Sequence, residues 1–247
     1  MGADGSSDVG RAPWRSATAQ VFVADLATPT PEDDDAHHLW RVLRLRPGES
    51  VCAADGRGGY RMCQVAASER LVPDCDIAVG ERRAPELTVG FAPVKGDRPE
   101  WVVQKLTEVG IDRILVVHTE RSVVRWDATR ARRHLTKLER VAREAAAQCR
   151  RLWLPEIGVG AVGVGANGAT GLGGGQPAVL ADAGGRTLTG DDHCVLIGPE
   201  GGWTDAERSG CERVALGDHV MRSETAAVVA GSAMASLRLG LSRPGLT

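Results

Sequence analysis

Val195-Leu196-Ile197-Gly198-Pro199-Glu200-Gly201-Gly202-Trp203-Thr204-Asp205-Ala206-Glu207 is the stretch around which the rest of the chain is organised. A short apolar run drops into a glycine turn and then a helix start. The pattern repeats at once, with Val214-Ala215-Leu216-Gly217 followed by Met221-Arg222-Ser223-Glu224-Thr225, which opens an alanine-rich helix. Thr204 and Glu207 have capping-box spacing, which predicts helix initiation, and Ser223 is expected to cap the last helix. Glycines let backbone N–H and C=O groups come close to a ligand, so two such units in succession describe a cradle. Gly198 to Gly202 lacks the Lys-Ser/Thr ending of a P-loop, and a phosphate-free ligand suits it better than a triphosphate. Ala178 to Asp182 reads as another strand, ending in Ala183-Gly184-Gly185. Ligands of open α/β sheets sit at such strand ends, so the three turns are expected to meet at one pocket.

The 247 residues are enough for two domains. Hydrophobic content of 43% and charged content of 25% are those of a soluble protein, and no apolar run reaches membrane-spanning length. Met1 to Pro13 has no apolar core, so a cytoplasmic protein is expected. Cys52, Cys63, Cys75, Cys149, Cys194 and Cys211 form no C-x-x-C pair and are read as buried free thiols, with no metal site. The net charge of −2 gives no global sign of nucleic-acid binding. Locally, however, basic residues from Arg113 to Arg151 face only Glu120, Asp127, Glu139 and Glu144, a basic block.

Residues 1–15 read as a disordered arm. Ala19 to Ala24 reads as a strand. A helix comes next, with Thr30 as N-cap, Pro31 at its first position and an inner stripe of Leu39, Val42 and Leu43, ending before Pro47-Gly48. Adjacent His37 and His38 diverge on a helix, so a polar surface is expected there, with an RNA-facing basic patch as the other reading. Ser50 to Ala54, Tyr60 to Ala66 and Asp74 to Val79 read as the strands of a small β-barrel, a kind of fold that often binds oligonucleotides.

Past Arg83 the pattern becomes α/β. Leu87 to Ala92 is a buried strand. Asp97 is expected to cap a helix with inner residues Val102, Val103, Leu106 and Val109, stopped by Gly110. Arg113 to His118 is the next strand, and Asp127 to Gln148 a helix that buries Leu135, Leu138, Ala142 and Ala145. Gly158 to Gly175 reads as a low-complexity connection. Its G-x-G-x-x-G at Gly158, Gly160 and Gly163 is rejected as a dinucleotide fingerprint, because the later glycines of the run oppose the helix such a site needs.

The combined motifs resemble a known family. Leu196 to Trp203, Leu216-Gly217 and Met221 to Ala226 are similar to the C-terminal signature of the RsmE family of 16S ribosomal RNA uridine-N3 methyltransferases, of the SPOUT class. His37-His38-Leu39, Arg41 to Arg44, Asp55-Gly56, Lys95-Gly96-Asp97, Gln104-Lys105, Glu108 to Gly110, Arg121 to Val124 and Glu144 to Cys149 extend the match. The resemblance implies a PUA-like barrel over residues 16–83 and, over 84–247, an α/β domain with a deep trefoil knot. It also implies a homodimer that binds S-adenosylmethionine and acts on 16S ribosomal RNA or the assembled small subunit. The cofactor is expected at Leu180, Ala181, Asp182, Ala183, Ile197, Gly198, Pro199, Gly201, Gly202, Leu216, Gly217, Val220, Met221, Thr225 and Ala226. Arg222 is expected to stabilise charge on the uracil, with Glu200 or Glu224 taking the N3 proton. Arg41, Arg44, Arg57, Arg121, Arg125 and Arg133 are the expected RNA contacts. A SPOUT enzyme with another RNA target, an RNA-binding module without catalysis and a nucleotide-dependent oxidoreductase are the alternatives.

Overall fold

The computed structural model describes residues 12–93, 96–124, 126, 128–161 and 177–241. Residues 1–11 of the expected arm, Lys95, Arg125 and 162–175 of the glycine-rich connection lie outside them. The chain divides into two compact units, one of residues 1–82 with 146–154, the other of residues 83–145 with 155–247.

In the first unit β1 (Ala19–Phe22) pairs parallel with β2 (Ser50–Ala54), β2 antiparallel with β3 (Gly59–Ala66), and β3 with both β4 (Arg70–Pro73) and β5 (Ala78–Val79). The expected strand Asp74 to Val79 shrinks to its last two residues, and β4 was not anticipated. Residues 12–15, assigned to the arm, are ordered: Pro13–Ser16 form a 3-10 turn, and Trp14 packs on Tyr60 with ring centroids 4.8 Å apart.

Helix α1 (Asp33–His37) starts later than expected. Thr30 does not cap it; its hydroxyl donates to the Thr28 carbonyl, and Glu32 takes the cap position without a side-chain capping bond. Such local side-chain to backbone bonds compete with helix formation. A π-helical turn, His38–Val42, then closes with Leu43 N–H donating to the His38 carbonyl at 2.9 Å. The wider winding breaks the anticipated stripe: Leu39 is buried, but Val42 and Leu43 are exposed. Arg44 comes after it at φ +53°.

Residues 146–154 belong to this unit because they bond to it. Arg150 Nη2 donates to the carbonyls of Ala17 and Thr18 at 3.0 and 2.7 Å, Gln20 Nε2 to that of Arg151 at 2.7 Å, and Trp153 Nε1 to that of Gly80 at 3.1 Å.

The second unit is a six-stranded sheet, all parallel, in the order β11-β9-β10-β6-β7-β8. Its strands are β6 (Thr88–Phe91), β7 (Arg113–His118), β8 (Glu156–Ala161), β9 (Val179–Thr187), β10 (Cys194–Ile197) and β11 (Arg213–Ala215). Alternation assigns the faces. Val89, Phe91, Ile114, Val116, Val195 and Ile197 point into one core with α2 (Arg98–Val109), α3 (Ala128–Gln148) and α5 (Ser223–Arg238). Leu115, Val117, Leu180 and Leu196 point into the other, which Trp203 covers. The small residues of α5 serve close packing, since a Cβ on Gly231 would stand 2.6 Å from Leu106 Cδ2.

Several local expectations are corrected by the fold. Asp97 makes no capping bond; its exposed carboxylate lies 3.8 Å from Lys137 Nζ. Leu135 is only half-buried. Gly158 to Ala161 are not linker but part of edge strand β8, where Gly158 faces Leu115 at a distance that a Cβ would reduce to 3.0 Å. The turn at Ala183-Gly184-Gly185 does not end its strand: β9 pairs with β11 at Leu180, then again at Arg186 and Thr187, so the intervening residues bulge out. Of the six thiols, Cys52, Cys63 and Cys194 are buried, whereas Cys75 is exposed. Burial pushes the Cys52 and Cys194 thiols up to about 12.

Candidate active site

The β9 bulge and the segments after β10 and β11 lie at one end of the sheet and wall a cleft of about 450 Å³. Ala181, Asp182 and Ala183 come from the β9 bulge, and Ile197, Gly198, Pro199, Glu200 and Gly202 from the turn after β10. Leu216, Gly217, Val220, Met221 and Arg222 come from the loop after β11, and Ala226 from the first turn of α5. Trp203, Ala215, Asp218, His219 and Ser223 also line it, none of them expected as ligands.

Close contacts shape this cleft. Trp203 is 1% exposed and donates Nε1–H to the Ala181 carbonyl at 2.9 Å, linking two walls. The indole lies against Gly198, where a Cβ would stand 2.9 Å from Cε2. Ser223 is the first residue of α5 rather than its cap, and its hydroxyl donates to the Gly198 carbonyl at 3.0 Å. Thr204 does cap α4 (Asp205–Arg208) in a complete capping box with Glu207. Asp182 is held by Arg208 Nε at 2.8 Å and Arg213 Nη1 at 3.5 Å, which pins the bulge.

Three expected ligands and one expected catalytic residue stand elsewhere. Leu180 is fully buried in the core beneath the cleft, because alternation turns it away from the bulge. Gly201 and Thr225 are exposed and do not line the cleft. Glu224 is drawn to Arg98 on α2, 3.3 Å away, and its other oxygen, Oε2, is buried with no hydrogen-bond partner among the described residues. Arg222 and Glu200 do line the cleft, so these two of the three expected catalytic side chains are brought together.

The basic residues separate too. Arg41 is exposed and pairs with Glu69 at 3.1 Å; Arg44, Arg57 and Arg133 are exposed. Arg121 instead donates to the carbonyls of Gly201 and Trp203 at 2.9 and 3.3 Å. Among the described residues, no helix is long and apolar enough to cross a membrane, and no group of His, Cys, Asp and Glu could hold a metal.

Comparison with known proteins adds to this geometry. Residues 81–161 and 176–235 match the model of an RNA methyltransferase domain, and residues 31–71 that of an RNA methyltransferase PUA domain. Ribosomal RNA small subunit methyltransferase E of Synechocystis is 30% identical over 234 residues, 83% of this chain and 71% of the relative. The protein of that name from Mycobacterium bovis is 30% identical over 156 residues, and this match spans 56% of each chain, little more than half the relative's length. The Neisseria gonorrhoeae methyltransferase E, solved bound to S-adenosyl methionine, shares the fold with a TM-score of 0.68 at 24% identity, covering 89% of this chain and 97% of that one. By its domain models and its Synechocystis relative, the chain belongs to the ribosomal RNA small subunit methyltransferase E family.

Proposed function

We propose that this protein is an S-adenosylmethionine-dependent methyltransferase that acts on N3 of a uridine in 16S ribosomal RNA. The observation that carries the reading is the cleft walled by the β9 bulge and by the turns after β10 and β11, in a chain of this family. Its size lies in the range of small-molecule sites. Apolar Ile197, Leu216, Met221 and Ala226 suit an adenine and the aliphatic carbons next to a sulfonium, and among the described residues the lining includes no lysine to hold a phosphate. Close approach is possible at Gly198 and at Gly202, which sits at φ +67°.

S-adenosylmethionine supplies an electrophilic methyl group on a cationic sulfur. The chain's own task is then positioning, which can lower a barrier by roughly 7–11 kcal/mol. Arg222 faces the cleft immediately before α5 and stabilises the negative charge that develops on the uracil as N3 loses its proton. Glu200 accepts that proton, while Glu224 is occupied by Arg98. The target base must be unpaired, since its N3 edge is hidden in a duplex. Exposed Arg41, Arg44, Arg57 and Arg133 hold the RNA backbone. The same reading includes a homodimer, a knotted cofactor domain and action in the cytoplasm.

Incubation with S-adenosylmethionine and either small-subunit particles or naked 16S RNA, with nucleoside mass spectrometry of the product, tests it. 3-Methyluridine is expected. Methylation at another position would transfer the activity to another target, and cofactor binding without any methylated nucleoside would overturn it.

A further inference from the structure

Two loops at the cleft end of the sheet are tied together in both directions. Arg121, in the turn after β7, donates through Nη1 to the carbonyls of Gly201 and Trp203. Glu207 on α4 makes the return link: Oε1 accepts from the Glu120 N–H at 2.8 Å, and Oε2 from the Thr204 N–H at 2.9 Å. Its carboxylate is bound deep in the fold, the residue being 1% exposed. In the sheet β6 stands between β10 and β7, so both links pass over the end of a strand rather than between neighbours.

Besides these links, the turn is held at its two ends, by the Ser223 hydroxyl on the Gly198 carbonyl and by the buried Trp203 indole. Gly198, Gly201 and Gly202 have no side chains to pack, and within residues 198–202 the turn closes with Gly202 N–H donating to the Pro199 carbonyl at 2.8 Å. Yet this turn supplies one wall of the cleft. Bonds between a charged group and a backbone are the stronger kind, so a guanidinium and a buried carboxylate can hold a wall that glycine leaves free to move.

We propose that Arg121 and Glu207 are positioning residues that hold residues 198–203 in the shape that binds the cofactor, with Arg121 serving the cofactor wall and not an RNA phosphate. The proposal rests on the reading that the cleft takes S-adenosylmethionine. Arg121 is exposed, so its removal spares the core.

Arg121→Ala is expected to weaken S-adenosylmethionine binding, measured by calorimetry, on the order of tenfold. It should raise KM for the cofactor, keep kcat at saturating cofactor within a few-fold, and leave the salt dependence of RNA binding unchanged. Arg121→Lys should restore part of the affinity. In the absence of ligand, Arg121→Ala and Glu207→Gln should speed amide exchange at Gly202 to Thr204. Unaltered cofactor affinity with a shallower salt dependence of RNA binding would make Arg121 a phosphate contact and overturn the proposal. If the wild type binds no S-adenosylmethionine, the cofactor reading fails, and exchange alone judges the clasp: unchanged rates at those amides overturn it.

Discussion

Trp203 and Ala181 are joined by a hydrogen bond of 2.9 Å from the indole Nε1 to the backbone carbonyl, and through it the turn after β10 holds the β9 bulge. Each of these segments is a wall of the cleft. Trp203→Phe keeps most of the buried volume but removes the donor, and is expected to destabilise by about 1–3 kcal/mol. Trp203→Ala also opens a cavity and is expected to lose about 3–5 kcal/mol. Urea unfolding measures both, and calorimetry of Trp203→Phe should show weakened cofactor binding. Intact stability in Trp203→Phe would mean that the bond is not needed to join the walls.

Arg222, Glu200 and Glu224 are separable by substitution. Arg222→Ala is expected to abolish methyl transfer while cofactor affinity stays within a few-fold, because the guanidinium acts on charge that appears only during reaction. Glu200→Gln is expected to lower kcat by about 10²–10⁴-fold, the usual contribution of a general base. Glu224→Gln should retain turnover within about tenfold of wild type, since its carboxylate serves Arg98. Single-turnover rates at saturating cofactor compare the three, and a larger loss in Glu224→Gln than in Glu200→Gln would reverse the assignment of the proton acceptor.

At the other end of α5, Arg238 anchors the helix. Its Nη1 lies 2.5 Å from Asp112 Oδ2 and donates to the Pro85 carbonyl at 3.1 Å, while Nη2 donates to the Gly110 carbonyl at 2.7 Å. Arg238 and Asp112 side chains are 7% and 9% exposed. Breaking a buried pair strands the remaining charge, so Arg238→Ala is expected to lose about 3–5 kcal/mol. A loss of less than ~1 kcal/mol in denaturant unfolding would show that water relieves Asp112.

Asp192 gives stability an acid limit. Burial by itself would raise its carboxyl, but bonds from Arg186 and from the Thr189 N–H and hydroxyl outweigh burial and hold it below its ordinary value of 3.8. A depressed folded value means that the stabilisation is fully present above about pH 3.8 and is lost as pH falls through the folded value. The stability difference between wild type and Asp192→Asn should therefore shrink between pH 5 and about pH 2. A constant difference across that range would remove Asp192 from the acid response.

Much of this protein could be read from residue order alone, where the governing interactions are local. The apolar runs at Leu87 to Ala92, Arg113 to His118 and Val195 to Ile197 supplied strands, Gly110 stopped α2 at φ +95°, and Thr204 with Glu207 formed the capping box at their own spacing. The glycine turns that wall the cleft were legible for the same reason, since a chain without Cβ atoms bends there whatever surrounds it.

Other features depended on contacts between distant residues. Gly158 to Ala161 have the composition of a linker and become strand β8 because β7 offers them hydrogen bonds. Val42 and Leu43 have helical spacing but turn outward once the chain winds into a π turn. Arg121 looked like one charge in a basic block, yet its partners lie 80 and 82 residues away. Glu224 stood beside Arg222 in the sequence, and only the packing of α2 against α5 sent it to Arg98. Sequence by itself determined the turn after β10, the stop of α2 and the capped start of α4, because those choices are settled within a few residues. Tertiary structure alone decided which side chains face the cleft, because the direction of a charged side chain depends on the partner that folding brings within reach.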